Sequence, residues 1–258
     1  MPLRLFVFSG GHEIADKSML TLGQDLGVPR KIPFQYFLVD HPKGRLMFDT
    51  GFNPVFLDRP QDYKPAVLFA SQVQREDLAG ERLAGMGLKP EDIQLVANSH
   101  LHYDHAGGNC TFRHATFLVQ WDELQSAMTP EPFSGLVADN YARQDFDLDV
   151  HYELLDGDYD VFGDGAVRLI RTPGHTRGHQ SLVVNLPETG VLVLAQDAVY
   201  LQENLDRMIL ATTCWDQKLM IQSYRRLREL QRLEQARIIP GHDIEVFAQM
   251  RLAPLFYA

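Results

Sequence analysis

Four side chains that can bind a metal ion lie within six residues of this chain. They follow an apolar run, 95–97, which predicts a short buried strand. The four are His100, His102, Asp104 and His105. Alternate residues of an extended segment point the same way, so His100 and His102 can face one ion before the chain turns at Asp104. Imidazole and carboxylate ligands suit zinc, and also iron, manganese or cobalt, so this segment predicts a metal site at a strand end.

One short segment cannot complete two metal sites, so other strand ends are expected to supply the remaining ligands. Three later apolar runs each end near one further candidate, and these are His175, Asp197 and His242. Together the candidates suffice for two ions about 3.5 Å apart, bridged by one carboxylate and one hydroxide. Because a sheet collects side chains at the ends of its strands, we expect these separate segments to meet.

The remaining sequence predicts a mixture of strands and helices in one domain that spans residues 1–258. Strands are predicted over 3–9, 34–39, 45–48, 95–97, 116–119, 166–171, 182–185, 191–195 and 236–239. Helices are predicted over 76–86, 122–128 and 216–235, and a further one is expected to start at 106–108. Loops are predicted over 10–33 and, with short strands, over 129–165. Two predicted hairpins end in Asp49 and Asp197, which hints at two similar halves packed sheet against sheet.

The composition limits the cellular compartments and the kinds of binding partner that we expect. The net charge of −10 argues against nucleic-acid binding, and the arginines of the helix over 216–235 are expected to form a solvated face. No apolar stretch is long enough for a membrane span, and no export signal is evident. The two cysteines, Cys110 and Cys214, cannot form a disulfide scaffold. We therefore expect a cytoplasmic, reduced protein that binds neither membranes nor nucleic acids.

The pattern His100-x-His102-x-Asp104-His105, with Gly174-His175-Thr176, Asp197 and Gly241-His242, resembles the metallo-β-lactamase superfamily. Within it, the segments 100–109 and 172–181 and the run Asp197-Ala198-x-Tyr200 resemble the N-acyl homoserine lactonases, the quorum-quenching enzymes. The metal segment has Tyr103 where that family often has phenylalanine. The resemblance covers nearly the whole chain. It implies an α/β (α+β) fold, a four-layer αβ/βα sandwich with the metals at one edge.

The resemblance also implies how the ligands are shared. A first ion would be held by His100, His102 and His175, and a second by Asp104, His105 and His242, with Asp197 bridging them. The local sequence agrees, because the consecutive Asp104 and His105 point away from the His100/His102 pair. Two divalent ions per chain are expected, with zinc favoured and iron, manganese or cobalt as alternatives.

The implied reaction is hydrolysis of a lactone ring by a metal-bridging hydroxide. Tyr200 would donate a hydrogen bond near the carbonyl oxygen, and Asp104 would help to protonate the leaving alkoxide. Asp49 is expected to orient a metal-bound histidine, and His179 to support the site without binding metal. An apolar groove for the acyl chain is assigned to Met19, Leu20, Phe69 and Tyr103.

Other functions remain open at this stage. A lactonase or esterase for another small lactone would use the same chemistry. A thioesterase of the glyoxalase II type shares the metal motif, but it is expected to need more chain after His242 for its helical substrate region. A β-lactamase is expected to carry an export signal. The sequence leaves the acyl length and the oligomeric state, monomer or homodimer, undetermined.

Overall fold

A computed structural model describes residues 2–63, 71–131 and 135–258. Its first sheet contains six strands that lie side by side in chain order. They are β1 (Arg4–Asp16), β2 (Pro29–His41), β3 (Gly44–Phe48), β4 (Leu95–Ala97), β5 (Thr116–Gln120) and β6 (His151–Leu155). Strands β1 to β3 pair antiparallel, whereas β3 to β6 are parallel. The carboxyl ends of β3, β4 and β5 therefore reach the same edge of the sheet.

The second sheet contains five strands in the order β11-β10-β9-β8-β7. They are β7 (Tyr159–Asp160), β8 (Val167–Arg171), β9 (Gln180–Leu186), β10 (Gly190–Gln196) and β11 (Arg237–Pro240). Strands β7 to β10 pair antiparallel, while β10 and β11 are parallel. Strands β8, β10 and β11 therefore end at one common edge, so the segments that follow them can converge.

Helices connect these strands. The α-helices of the described residues are α1 (Lys17–Leu20), α2 (Val55–Asp58), α3 (Ala79–Ala84), α4 (Tyr103–Ala106), α5 (Trp121–Met128), α6 (Leu136–Asp139), α7 (Arg143–Phe146), α8 (Gln202–Arg207), α9 (Gln217–Leu233) and α10 (Ile244–Phe247). Short 3-10 helices cover Pro60–Asp62, Arg75–Asp77, Pro90–Asp92 and Gly107–Phe112. In the described part of the chain, none of the helices has the length and apolarity required to cross a membrane.

The two sheets pack face to face, and helices cover their outer faces. Val39 and Phe48 of the first sheet share a buried core with Val184 and Leu194 of the second. On the outside of the second sheet, the side chain of Tyr224 from α9 is fully buried against a separate apolar cluster. Burial of such side chains stabilises each interface by roughly 1.5–3 kcal/mol per large residue. The predicted four-layer sandwich is therefore confirmed.

Strands β1 and β2 form a hairpin that extends well beyond the strands predicted over 3–9 and 34–39. The prediction of a loop over 10–33 is wrong, because β1 continues to Asp16 and β2 starts at Pro29. A register shift between Ser9 and His12 lets the strand pass the glycines, and Gly11 has a φ of 96° that favours glycine. Strand β1 therefore projects beyond the sheet edge toward the predicted metal ligands.

The helix expected to start at 106–108 begins earlier, at Tyr103. The glycines there have another role, since a side chain at Gly108 would collide with the backbone oxygen of Thr50. The metal segment thus packs directly on the chain that follows β3. The helix predicted over 76–86 is also shorter, and the region 129–165 contains α6 and α7 as well as short strands.

The predicted strands over 45–48, 95–97, 116–119 and 166–171 are confirmed to within one residue. The long helix predicted over 216–235 is also confirmed as α9, which runs from Gln217 to Leu233. The Asp216 carboxylate caps α9 by accepting hydrogen bonds from the backbone N–H groups of Lys218 and Leu219.

Candidate metal centre

The ends of four strands bring the predicted ligands to one edge of the sandwich. The segment after β4 provides His100, His102, Asp104 and His105, and the segments after β8, β10 and β11 provide His175, Asp197 and His242. Six of the side chains are buried, and Asp104 is partly exposed. Three overlapping groups of three have their ligand atoms within 4.8 Å of one another, as a metal ion requires.

Three histidines form the first subsite. His175 Nε2 lies 3.2 Å from His100 Nε2 and 3.0 Å from His102 Nδ1. Such short separations between three ring nitrogens place all three lone pairs around one small volume. The alternation that the sequence predicted for His100 and His102 is consistent with this arrangement.

The second subsite contains Asp104, His105 and His242, and Asp197 lies between the two subsites. His105 Nε2 is 3.3 Å from Asp104 Oδ2 and 3.1 Å from Asp197 Oδ1. Asp197 Oδ1 is also 3.0 Å from His242 Nε2. The other carboxylate oxygen, Asp197 Oδ2, lies 3.3 Å from His175 Nε2 of the first subsite. Each oxygen of Asp197 therefore faces a different subsite.

The ring nitrogens that face away from the subsites are held by hydrogen bonds. A carbonyl or carboxylate oxygen accepts from the outward nitrogen of four of the histidines, which leaves the inward nitrogen free to bind a cation. The pairs are His102 Nε2 with Val137 O at 3.0 Å, His175 Nδ1 with Thr213 O at 3.0 Å, His242 Nδ1 with Pro33 O at 3.0 Å and His105 Nδ1 with Asp49 Oδ2 at 2.9 Å.

The residues present fit divalent metal ions. Among the described residues, the buried atom His105 Nε2 forms no hydrogen bond of suitable geometry, and it lies close to carboxylate oxygens of Asp104 and Asp197. Burial, reinforced by His175, lowers the pKa of His102 to about 3, so its ring is held neutral, as a metal ligand must be. Nitrogen donors combined with carboxylate oxygens match the ligand chemistry of zinc and related metals.

Asp49, predicted to orient a histidine, lies directly behind His105. It is fully buried, and its φ of 60° is a conformation that aspartate tolerates better than most residues. Its carboxylate accepts from the Ser99 backbone N–H at 2.7 Å and from Ser99 Oγ at 2.8 Å, in addition to His105. Gln196 Nε2 also donates to it. The carboxylate therefore connects the end of β3 to both ligand segments that flank it.

We expect Asp49→Asn to weaken metal binding by about 10- to 100-fold, because an amide cannot replace the carboxylate that accepts from His105 and Ser99. Competition with a chromogenic chelator would measure the affinity. Asp58→Asn, which changes an exposed aspartate of α2, is the matched control. Equal affinities of the Asp49→Asn variant and the wild-type protein would show that this carboxylate does not support the metal ligands.

Glu123 is a buried residue that sequence reasoning missed. Its carboxylate accepts from the Leu101 backbone N–H at 2.9 Å, inside the metal segment. It also accepts from Thr176 Oγ1 at 2.6 Å and the Gly178 N–H at 3.0 Å, just after His175. One side chain of α5 thus fixes two ligand segments relative to each other. Its position on an amphipathic helix gives no local sign of this role.

His179, predicted to support the site, is fully buried with its ring centre 5.2 Å from that of His100. Its Nδ1 lies 2.9 Å from Thr172 Oγ1. The residue falls outside the three groups of possible metal ligands.

A cavity opens beside the second subsite. Three of the residues predicted to bind the acyl chain, Met19, Leu20 and Tyr103, line it, whereas Phe69 lies outside the described residues. Sequence reasoning missed the hairpin residues of the same wall, which are Glu13, Ala15, Ile32 and Phe34. Glu13, Ala15 and Ile32 were missed because the stretch 10–33 was interpreted as a loop, whereas Phe34 was placed in a predicted strand without a role in the site.

Tyr200 also lines this cavity. Its hydroxyl oxygen is 3.4 Å from His175 Nδ1, and its ring packs edge-on against His242 with the ring centres 5.0 Å apart. Burial, with the charge of Asp197, raises the pKa of Tyr200 well above its usual value, so the phenol keeps its proton. The hydroxyl therefore lies between the two subsites and the open cavity as a hydrogen-bond donor.

Comparison with known proteins places this architecture in a family. The family model of the metallo-beta-lactamase superfamily matches residues 33–242. The chain belongs to this superfamily. The predicted metallo-β-lactamase fold is thus confirmed, and the matched range contains each of the seven candidate ligands of this superfamily member.

Relatives within the superfamily include lactonases. The chain is 31% identical to N-acyl homoserine lactonase AttM of Rhizobium radiobacter, over 99% of both proteins. It is 29% identical to N-acyl homoserine lactonase AiiA of Bacillus thuringiensis subsp. kurstaki, over 97% of both. One solved structure is that of an N-acyl homoserine lactone hydrolase with the product N-hexanoyl-L-homoserine bound at its catalytic metal centre. It superimposes on this chain with a TM-score of 0.88 at 28% sequence identity, and the match covers 99% of this chain and 100% of that one. The predicted similarity to N-acyl homoserine lactonases is confirmed.

Proposed function

We propose that this protein is an N-acyl homoserine lactonase that holds two divalent metal ions, with zinc favoured. The observation that carries the proposal is the position of Asp197, whose two oxygens face two separate histidine subsites. The full-length similarity to lactonases supports the choice of substrate. The histidine and carboxylate donors support zinc, with iron, manganese and cobalt as alternatives.

Bound divalent ions would supply Lewis acidity, which makes water nucleophilic near neutral pH and polarises an ester carbonyl. The side chains of the protein would orient the lactone and transfer the protons that the reaction requires. Tyr200 lines the cavity, and its hydroxyl would donate a hydrogen bond to the carbonyl oxygen as negative charge develops on it. Asp104 lines the same cavity, so after attack by the hydroxide its carboxylate could take the remaining proton of that group and give it to the ring oxygen as the ring C–O bond breaks.

The cavity wall would position the acyl chain. Leu20, Ile32 and Phe34 present apolar surface to the cavity, and Met19 adds a flexible side chain that adapts to ligand shape. Burial of each methylene of the chain would stabilise the complex by about 0.8 kcal/mol. We therefore expect substrates with an acyl chain to be preferred over a bare lactone ring.

The free cysteines bear on the cellular compartment, and the net charge bears on the class of substrate. Cys110 and Cys214 are both free, which fits a reducing compartment, so we propose a cytoplasmic location. The net charge of −10 supports a small-molecule substrate rather than a nucleic acid. We propose that one domain carries the whole activity.

The proposed function is tested by measuring proton release during hydrolysis of N-acyl homoserine lactones of increasing chain length. A thioester and a β-lactam serve as comparison substrates, and metal content is determined on the same preparation. We expect lactones to be opened with the highest kcat/KM of the three classes. Metal-loaded protein that hydrolyses the thioester and leaves the lactones intact would reject lactonase activity in favour of a thioesterase.

Tyr200→Phe should retain the wild-type metal content but open lactones about 10- to 100-fold more slowly, because it removes one hydrogen bond to developing charge. The expected loss is in kcat, since the bond strengthens as the reaction proceeds. Tyr159→Phe, at a partly buried residue of the second sheet, is a suitable control. Unchanged kcat in Tyr200→Phe would leave Tyr200 with a structural role only.

A further inference from the structure

Glu13 is a buried carboxyl group in the substrate cavity that the proposed reaction does not use. It lines the cavity together with the candidate ligands Asp104 and His242, yet it is absent from each group of possible metal ligands. Its side chain is only 4% exposed. Burying a carboxyl group is costly unless it has hydrogen-bond partners, so its position calls for a partner.

The residues around Glu13 on the same wall are apolar. Glu13 pairs with Ile32 across the first hairpin, and Ala15 follows it on the same face of β1. Both neighbours are buried and line the cavity. Ile14, which points to the opposite face, is 48% exposed. The usual pattern of an apolar inner face and a polar outer face is thus reversed at Glu13 and Ile14.

The described residues give this carboxyl few hydrogen bonds. Within residues 2–63, 71–131 and 135–258, the one side-chain donor to it is Ser71 Oγ, at 3.1 Å from Glu13 Oε2. A carboxylate has about four acceptor positions, so most of them have no partner among these residues, and Glu13 lines the cavity. Burial and the charge of Asp104 raise the pKa of Glu13 to about 7.

The residues that share the cavity wall with Glu13 locate it along a bound substrate. Asp104, Asp197 and His242 of the candidate metal centre line the same cavity as Glu13. A substrate whose lactone ring lies at the metal centre would therefore place the first carbons of its acyl chain, rather than the end of the chain, beside Glu13.

We propose that Glu13 selects lactones whose acyl chain carries a hydroxyl group near the amide, by a hydrogen bond between that hydroxyl and the Glu13 carboxyl. This inference rests on the proposed lactonase function. A hydroxyl donates to a carboxylate and accepts from a carboxylic acid, so it pairs with Glu13 in either protonation state. A keto oxygen only accepts, and a methylene does neither. We therefore expect hydroxylated chains to be preferred over both keto and unsubstituted chains.

The test compares N-(3-hydroxyoctanoyl)- and N-octanoyl-homoserine lactone as substrates of the metal-loaded protein. We expect wild-type kcat/KM to be at least about tenfold higher for the hydroxylated substrate, and Glu13→Leu to abolish or reverse this ratio. Glu13→Gln should keep most of the preference, because an amide both donates and accepts. Ile14→Gln, at the exposed neighbouring position, should keep the wild-type ratio. A wild-type ratio near one, or a ratio that Glu13→Leu leaves unchanged, would overturn the proposal.

Binding of the two ring-opened products, measured by calorimetry, separates this proposal from the proposed function. If wild-type protein opens no lactone, lactonase activity is rejected, and the ratio of the two product dissociation constants still decides the role of Glu13. A ratio of at least about tenfold that Glu13→Leu removes would support hydroxyl recognition. Equal affinities, or no binding of the hydroxylated product, would overturn it.

Thermal unfolding separates recognition from a structural role. Removing a poorly paired buried carboxyl should raise the unfolding midpoint of Glu13→Leu above that of the wild-type protein. A lower midpoint together with an unchanged substrate ratio would assign Glu13 a structural role and overturn the proposal.

Discussion

The Asp197→Ala variant is expected to lose at least one metal ion per chain and to open lactones at least about 1,000-fold more slowly than the wild-type protein. The physical reason is that Asp197 serves both subsites. Its Oδ1 lies 3.0 Å from His242 Nε2, and its Oδ2 lies 3.3 Å from His175 Nε2. Removal of the carboxylate takes a ligand from each subsite and leaves the buried histidines without the negative charge that offsets a bound cation.

Elemental analysis of the purified variant, combined with kcat and KM for one lactone, measures both effects. Asp206→Ala, at an exposed aspartate of α8, controls for the loss of a carboxylate elsewhere. Wild-type metal content in Asp197→Ala would refute the assignment of Asp197 as a bridging ligand. If the activity of that variant were nevertheless reduced, Asp197 would have a role in the reaction only.

Glu123→Leu is expected to lower the free energy of unfolding by about 3–5 kcal/mol, because it leaves several buried donors without an acceptor. The Leu101 N–H, the Gly178 N–H and Thr176 Oγ1 lose their partner. Tyr141 Oη, at 3.0 Å, loses it as well. These donors lie on both sides of the metal centre, so we also expect the variant to bind metal more weakly.

Urea denaturation of chelator-treated protein measures this difference without a contribution from metal binding. Gln125→Leu is the matched control, since it introduces the same side chain at an exposed position of the same helix. A change below about 1 kcal/mol in Glu123→Leu, similar to that of an ordinary surface substitution, would contradict the structural role assigned to this carboxylate.

The candidate ligands could be found from the sequence because they lie next to strand ends. A short apolar run such as 95–97 predicts a buried strand, and the residues after it must reach the sheet edge. The expectation that His100 and His102 face one side rests on alternation, which is a local property of extended backbone. The convergence of His175, Asp197 and His242 was expected because each follows an apolar run, whereas their division between two ions was implied by the family resemblance.

The residues that sequence analysis missed have roles that depend on tertiary contacts or on an unusual local pattern. Glu123 looks like an ordinary polar residue of a helix, because its partners come from segments 18 to 55 positions away. The second half of β1 was interpreted as a loop because Gly10 and Gly11 interrupt the apolar pattern. Beyond them Glu13 faces inward and Ile14 outward, so the burial is opposite to what alternation predicts.

The most direct test of this account is to add zinc to metal-free protein and follow N-acyl homoserine lactone opening in the same sample. If the two subsites act together, activity should rise until about two ions are bound per chain and should remain near background at one. Asp197→Ala should stay near background throughout the titration. Full activity at one bound ion, or no lactone opening by protein that holds two, would contradict the proposed dinuclear lactonase.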